Sequence, residues 1–115
     1  MRLSNEDQTF LKTYDDSKYA KPSVTADMVI FSRFSDGSLQ VLLIRRGKSP
    51  YKDQFALPGG FVNPDESVDQ AARRELLEET GVDCACLEPI RTFSTPGRDP
   101  RRWVISCAYL AKTFV

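Results

Sequence analysis

Hydrophobic side chains occur in short runs that polar turn residues separate. Val24 to Phe34 and Leu39 to Ile44 are rich in Val, Ile, Leu and Phe, a composition typical of strands. The segment Ser35 to Ser38 between them contains Asp and Gly, which favour tight turns. The first half of the chain is therefore predicted to contain a β-hairpin.

Three further apolar runs predict more strands. Phe55 to Leu57 follows a polar loop and stops at Pro58-Gly59-Gly60, where we expect the glycines to permit a bend that presents a carbonyl to a ligand. Leu87 to Phe93 and Trp103 to Ala111 are longer, and the loop between them is strongly basic.

Helical signals occur in two places. Ser67 followed by Gln70 matches a capping box, and Gly81 stands where a helix would end, so the sequence predicts a helix over Val68 to Thr80. Ser4 to Tyr14 carries weaker signals for a short helix or ordered arm. The order β, β, β, α, β, β indicates an α/β sandwich on a mixed sheet.

Composition narrows the available chemistry. The 115 residues are enough for one domain, and 16 basic side chains balance 16 acidic ones, so no net field would attract nucleic acid or an acidic membrane. The chain has no histidine, which excludes Ser/His and Cys/His nucleophile pairs and imidazole metal sites. Any catalysis must use carboxylates, Arg, Lys, Tyr, Ser or Cys.

Three cysteines, Cys84, Cys86 and Cys107, are too few for the disulfide framework of a small secreted domain. A structural zinc needs four ligands, so we interpret the cysteines as ordinary small side chains and expect no zinc. No apolar run is long enough to span a bilayer. These features favour a cytoplasmic protein with no membrane partner.

The predicted helix over Val68 to Thr80 carries an acidic stripe. At about 100° of rotation per residue, Glu75, Glu78 and Glu79 fall within roughly a 100° arc, which continues a small, apolar face. Like charges at these spacings repel by about 0.2–0.5 kcal/mol per pair, and Arg74 alone cannot neutralise three carboxylates. Clustered carboxylates favour Mg²⁺, or Mn²⁺ in its place. The alternative is a solvated acidic helix face with Arg/Glu pairs.

A longer motif favours a metal site over a solvated helix face. Gly60, five residues, Glu66, seven residues and then Arg74-Glu75-Leu76-Leu77-Glu78-Glu79-Thr80-Gly81-Val82 resembles the Nudix box over residues 60–82 without a gap. The resemblance implies an α/β/α sandwich with a mixed sheet. Family domains normally continue beyond the strand near Ala111, so we expect this chain to be a single Nudix domain that lacks its last strand and helix.

The resemblance also implies roles for the residues of the box. Glu75 and Glu79 correspond to the principal metal ligands, Glu78 to a ligand of a second ion or a bridging water, and Gly60 to a carbonyl ligand. Arg74 would orient Glu75, and Glu75 is a candidate base for the attacking water. Glu66 would bind metal through water or lock the loop.

Two further segments resemble the Nudix branch that hydrolyses or senses ADP-ribose. They are Gly97-Arg98-Asp99-Pro100-Arg101 and the entry to the first strand, Tyr19 to Thr25. Forked donors of arginine fit phosphate oxygens, although each charge could simply be exposed. We select Arg45, Arg46, Arg98, Asp99 and Arg101 as substrate-binding residues. Four aromatic residues could stack on adenine, but lone strand aromatics are more often core residues: Phe55, Phe93, Trp103 and Tyr109.

The expected reaction is Mg²⁺-dependent hydrolysis of a nucleoside diphosphate derivative, with ADP-ribose giving AMP and ribose 5-phosphate. The within-class rival is a different nucleotide derivative. The alternative class is a non-catalytic ADP-ribose-sensing domain of a transcriptional regulator, although the complete box favours an enzyme and 115 residues are expected to leave no space for a DNA-binding module. We expect a small nucleotide as partner, no nucleic acid, and a homodimer as the candidate assembly.

Overall fold

The computed structural model describes residues 2–83 and 87–114, with the side chains of 2–83 and 87–111. Within these residues, two helices and seven strands are formed. The helices are α1 (Asn5–Lys12) and α2 (Val68–Thr80). The strands are β1 (Ser23–Arg33), β2 (Leu39–Val41), β3 (Ile44–Arg45), β4 (Phe55–Ala56), β5 (Gly59–Phe61), β6 (Glu88–Phe93) and β7 (Val104–Phe114).

Helix α2 has the bounds that the sequence predicts, and its caps explain them. The Ser67 hydroxyl accepts a hydrogen bond from the amide of Gln70 at 3.1 Å, and the Gln70 side chain accepts one from the amide of Ser67 at 2.8 Å. Gly81 closes the helix with a φ of 76°, a left-handed conformation that glycine adopts without steric cost. The position of the acidic stripe along the chain is thereby defined.

The main sheet has the order β2-β1-β7-β6, and β5 also pairs with β1. Strands β1 and β7 are parallel and place Thr25 opposite Ser106, whereas β2 and β5 are antiparallel to β1. The predicted hairpin is confirmed by the pairing of Phe31 with Val41 and of Arg33 with Leu39. The mixed sheet and the α/β class are thus confirmed.

Strand bounds differ from the predictions in three places. The run Leu39 to Ile44 is not one strand, because the chain leaves β1 after Val41 and Ile44 pairs instead with Ala56 of β4. Pro58 has no amide proton and separates β4 from β5. The last strand is longer than predicted, because its parallel pairing with β1 continues to the register of Arg33 with Phe114.

The core lies between α2 and one face of the sheet. Ala71, Ala72 and Leu76 of α2 pack against alternate residues of β1 and β7. Those strand residues are Ala26, Met28, Ile30, Tyr109 and Ala111. Helix α1 buries no side chain, so α2 is the one helix that covers the sheet within the described residues.

The structure bears on two other expectations. Tyr109 is a core residue, whereas Phe55, Phe93 and Trp103 are exposed, so the core interpretation is wrong for these three. Cys107 is a half-buried free thiol, and Cys84 and Cys86 lie outside the described residues.

No helix within residues 2–83 and 87–114 is both long and apolar enough to cross a membrane.

Candidate active site

Two adjacent glycines bring the β5 backbone against two carboxylates. A Cβ atom at Gly60 would lie 2.6 Å from the carboxyl carbon of Glu75, and one at Gly59 would lie 2.5 Å from Asp27 Oδ1. Neither glycine has a positive φ, and both pair with β1 in a regular ladder. The expectation of a glycine bend is therefore wrong, and these positions need glycine because the side chains approach so closely.

Arg74 organises the acidic residues around α2. Its guanidinium donates to Glu66 Oε1 at 2.6 Å, to Glu75 Oε1 at 2.8 Å and to the carbonyl of Phe61 at 3.2 Å. A weaker bond of 3.3 Å reaches Glu78 Oε2. The side chain thus ties the loop before the helix, the helix itself and strand β5 together.

The carboxylates in this cluster differ in their electrostatics. Hydrogen bonds from Arg74 and from the amide of Asn63 hold the pKa of Glu66 at about 2, well below its usual value. Burial raises the pKa of Glu79, and the nearby charges of Glu75 and Glu78 raise it further, against a hydrogen bond from the amide of Gly59. Negative charge near Glu79 is thus only partly compensated by protein groups.

A divalent ion fits part of this arrangement. Glu75 has a side chain that is only 13% exposed, it packs against Gly60, and it interacts with Glu79. Oxygen donors with uncompensated charge suit Mg²⁺. Glu78 is 58% exposed and turns toward Arg74, and the described residues contain no set of three acidic side chains arranged to hold a metal. The predicted stripe is therefore divided: Glu75 is turned inward against Gly60, whereas Glu78 and Glu79 are exposed, with Glu79 accepting from the Gly59 amide.

A cleft of about 370 Å³ brings the two predicted basic segments together. The loop after β6 contributes Arg98, Asp99 and Arg101, and the loop between β3 and β4 contributes Arg46 beside Tyr51 and Phe55. Arg45 is absent from the lining, because its guanidinium lies over the Phe55 ring at 5.8 Å. Four of the five predicted substrate-binding residues thus share one surface.

Asp99 and Arg101 form an ion pair in this cleft. The Asp99 carboxylate accepts from Arg101 Nη2 at 2.9 Å and from the Arg101 amide at 2.9 Å, and these bonds hold its pKa at about 2. The Arg101 guanidinium also lies 5.3 Å from the centre of the Phe61 ring. Because the Phe61 carbonyl accepts from Arg74, this residue links the cleft to the acidic cluster.

The sequence did not give a role to several residues in or near these two clusters. Phe61 and Asn63 act through a ring or the backbone, which no motif spacing reveals. Thr25, Asp27 and Ser106 meet only because β1 and β7 are parallel neighbours. One signal was available, since Asp27 is a lone carboxylate in the apolar stretch Ala26 to Phe31.

Sequence comparison finds, among its relatives, a transcriptional repressor and a pyrophosphatase. The ADPR responsive transcriptional repressor NtrR of Acinetobacter baylyi is 43% identical over 93% of this chain and 43% of its own length. An ADP-ribose pyrophosphatase of Methanocaldococcus jannaschii is 40% identical over 80% of this chain and 52% of its own length. The chain thus spans about half the length of these relatives.

Solved structures give the same assignment of family. A MutT/nudix family protein from Enterococcus faecalis has a TM-score of 0.87 and 42% identity over 96% of this chain and 44% of its own. The NUDIX domain of Shewanella oneidensis NrtR, complexed with ADP ribose, has a TM-score of 0.84 and 31% identity over 98% of this chain and 73% of its own. The NUDIX domain family matches residues 21–114. With its box on α2 and β5, the chain belongs to the Nudix family.

Proposed function

We propose that this chain hydrolyses the diphosphate bond of a nucleoside diphosphate derivative with Mg²⁺, and that ADP-ribose is the substrate, giving AMP and ribose 5-phosphate. The packing of Glu75 and Glu79 against Gly59 and Gly60 is the observation that carries the proposal. The relative named as an ADP-ribose pyrophosphatase supports the reaction class and the substrate.

The acidic cluster would hold the ion. Glu75, Glu79 and the carbonyl of Gly60 are the proposed ligands, with Glu78 beside them and Mn²⁺ as a substitute ion. When bound, such an ion neutralises charge on the diphosphate oxygens. Arg74 orients Glu75, and Glu66 fixes Arg74 by accepting hydrogen bonds from its Nε and Nη2.

Hydrolysis needs one proton acceptor. Water attacks one phosphorus atom of the diphosphate and a new P–O bond forms. The bridging P–O bond breaks, which separates AMP from ribose 5-phosphate. Glu75 is the proposed base that accepts the water proton, because its carboxylate is held between Arg74 and Gly60 and turned into the cluster.

The cleft lined by Arg46, Arg98, Asp99 and Arg101 is the proposed substrate site. The guanidinium groups of Arg46 and Arg98 face phosphate oxygens, while Asp99 holds Arg101 over Phe61. The exposed Phe55 ring at the cleft offers a surface on which a base can stack, and the Arg45 guanidinium lies over that ring at 5.8 Å.

A second candidate function is ligand sensing without turnover. The similarity to the ADPR responsive repressor NtrR and to an NrtR domain complexed with ADP ribose favours it. In that case the chain binds ADP-ribose through the same cleft, and the partner of the whole protein is DNA. As an enzyme, the chain is proposed to act in the cytoplasm, with a second copy of itself as partner.

The test is a substrate panel with and without Mg²⁺. ADP-ribose, NADH, diadenosine polyphosphates and oxidised nucleotides are incubated with the wild type, and products are separated by chromatography. We expect AMP from ADP-ribose only with the metal ion, and we expect Glu79→Gln to lower the rate about 100-fold or more. Glu88→Gln, an exposed change on β6, is the matched control and keeps the wild-type rate.

The result distinguishes the candidates. Preference for another nucleotide would replace ADP-ribose as the substrate, and a fully active Glu79→Gln variant would remove the metal assignment. Binding of ADP-ribose in calorimetry without any Mg²⁺-dependent turnover would establish the sensor instead.

A further inference from the structure

A line of polar side chains crosses the sheet on the face opposite α2. Thr25 and Ser106 stand side by side in the parallel pairing of β1 and β7, and Asp27 follows Thr25 on the same face. Thr25 and Ser106 are each only 7% exposed. Buried hydroxyl groups are costly unless they are hydrogen bonded, so their partners define what they do.

These three residues form a connected chain that ends on Arg98. Thr25 Oγ1 lies 3.1 Å from Asp27 Oδ2 and 2.7 Å from Ser106 Oγ. The Arg98 guanidinium donates through Nη2 to Ser106 Oγ. Burial raises the pKa of Asp27, and its hydrogen bonds and the positive charge of Arg98 act in the opposite direction.

The hydroxyl groups of Thr25 and Ser106 link the Asp27 carboxylate to the Arg98 guanidinium. Thr25 Oγ1 is hydrogen bonded to Asp27 Oδ2 and to Ser106 Oγ, and Ser106 Oγ accepts from Arg98. Hydrogen bonds connected in this way strengthen one another.

Arg98 differs from Arg74 and Arg101, whose guanidinium groups are paired with carboxylates. Arg74 is occupied by three carboxylates and a carbonyl, and Arg101 is paired with Asp99. Within the part of the chain that the structure describes, the bond to Ser106 is the one hydrogen bond of the Arg98 guanidinium. Its other N–H groups are available at the cleft, where Arg98 is a lining residue.

We propose that Ser106, Thr25 and Asp27 are positioning residues that hold the Arg98 guanidinium in the cleft to bind a diphosphate oxygen. This inference rests on the proposed function, because it assigns an anion to that cleft. This arrangement also requires glycine at position 59, since a side chain there would collide with Asp27. A guanidinium held in place before binding loses less conformational freedom when the anion arrives, so affinity increases.

The test is a double-mutant cycle on ligand affinity. Dissociation constants of inorganic pyrophosphate and of ADP-ribose are measured by calorimetry in a chelator for the wild type, Ser106→Ala, Arg98→Gln and the double variant. We expect Ser106→Ala to raise the dissociation constants of both ligands about tenfold. A change of this size corresponds to the loss of one hydrogen bond to a charged group. In the Arg98→Gln background the same change has less than about a twofold effect.

A second pair of variants guards against misfolding. Thr25→Val removes the hydroxyl and is expected to weaken binding, while Thr25→Ser keeps the hydroxyl and restores it. Ser23→Ala is the matched control, because the Ser23 hydroxyl lies 3.5 Å from Arg102, a residue outside the cleft. Thermal unfolding is recorded for every variant.

The outcomes separate this inference from the proposed function. Unchanged affinity in both Ser106→Ala and Thr25→Val, or an equal loss in the Arg98→Gln background, overturns the positioning role. If the wild type binds pyrophosphate with the expected coupling but does not bind ADP-ribose, the proposed substrate fails and the positioning role stands. If the wild type binds neither ligand in the chelator, the positioning role is overturned, and AMP formation with Mg²⁺ alone decides the proposed function.

Discussion

At the scale of single residues, Gly59 and Gly60 serve two different carboxylates on the two faces of β5. Gly59 leaves room for Asp27, which lies directly opposite it in the ladder with β1, and Gly60 leaves room for Glu75 of α2. Successive residues of a strand point to opposite faces, so one Gly-Gly pair permits both close approaches. The pair thus connects the acidic cluster with the polar chain on the other face.

Gly60→Ala is expected to inactivate the protein without unfolding it. The new Cβ would lie 2.6 Å from the Glu75 carboxyl carbon, so Glu75 must move from its place beside Arg74. A displacement of this size at a catalytic group costs about 100-fold in rate, measured as AMP formed from ADP-ribose.

The matched control for Gly60→Ala is Gly47→Ala. A Cβ at Gly47 meets nothing within 4 Å, and its backbone has no positive φ. A Gly60→Ala variant with wild-type activity would show that Glu75 has no fixed position in catalysis.

At the scale of elements, the loop between β6 and β7 is held by its own charges. Asp99 binds Arg101 through both backbone and side chain, and Arg101 lies over Phe61 of β5. The Arg98 guanidinium donates a hydrogen bond to the Ser106 hydroxyl of β7. Two arginines of one loop are therefore anchored on β5 and β7, the two strands that pair with this part of β1, which keeps the loop beside the cleft.

Asp99→Asn is expected to lower the unfolding temperature in a pH-dependent way. The pKa of Asp99 falls from 3.8 to about 2 in the folded chain, so its ionised form stabilises the fold above about pH 4 and this contribution disappears by about pH 2. The difference from the wild type should be a few degrees at neutral pH, since a partly exposed ion pair contributes at most about 1 kcal/mol.

Circular dichroism melts between pH 2 and pH 7 measure this difference. Asp65→Asn, an exposed acidic residue in the loop before α2, is the control and should follow the wild type at each pH. A gap that stayed constant down to pH 2 would mean that the Asp99 carboxylate does not stabilise the loop.

At the scale of the whole molecule, the chain is more extended than its length suggests. The radius of gyration is 18.3 Å, whereas a compact domain of this length has about 13 Å. Helix α1 contributes to this difference, because it buries no side chain and leaves Phe10 and Leu11 exposed.

Deletion of residues 2–13 is expected to leave the rest of the fold intact. The hydrogen bonds of this segment are local, as between Gln8 and Ser4, so the unfolding temperature should change by no more than about 2 °C. Sedimentation of the wild type and of the deletion variant would reveal whether α1 binds a second copy of the chain. A large loss of stability on deletion would show that α1 is packed in solution.

The sequence by itself determined the features that depend on neighbours along the chain. The caps at Ser67 and Gly81 defined α2, and the spacing from Gly60 to Val82 identified the family. These signals are local, because helical geometry and turn chemistry act over three to five residues. The roles of the box residues in binding and catalysis stay predictions.

Only the tertiary structure decided which distant residues meet. It placed Arg46 beside Arg98 at one cleft, and it set Thr25 against Ser106 across 81 positions of the chain. Such contacts arise from the parallel pairing of β1 with β7 and from the path of the loops, and neither leaves a periodic trace in the sequence.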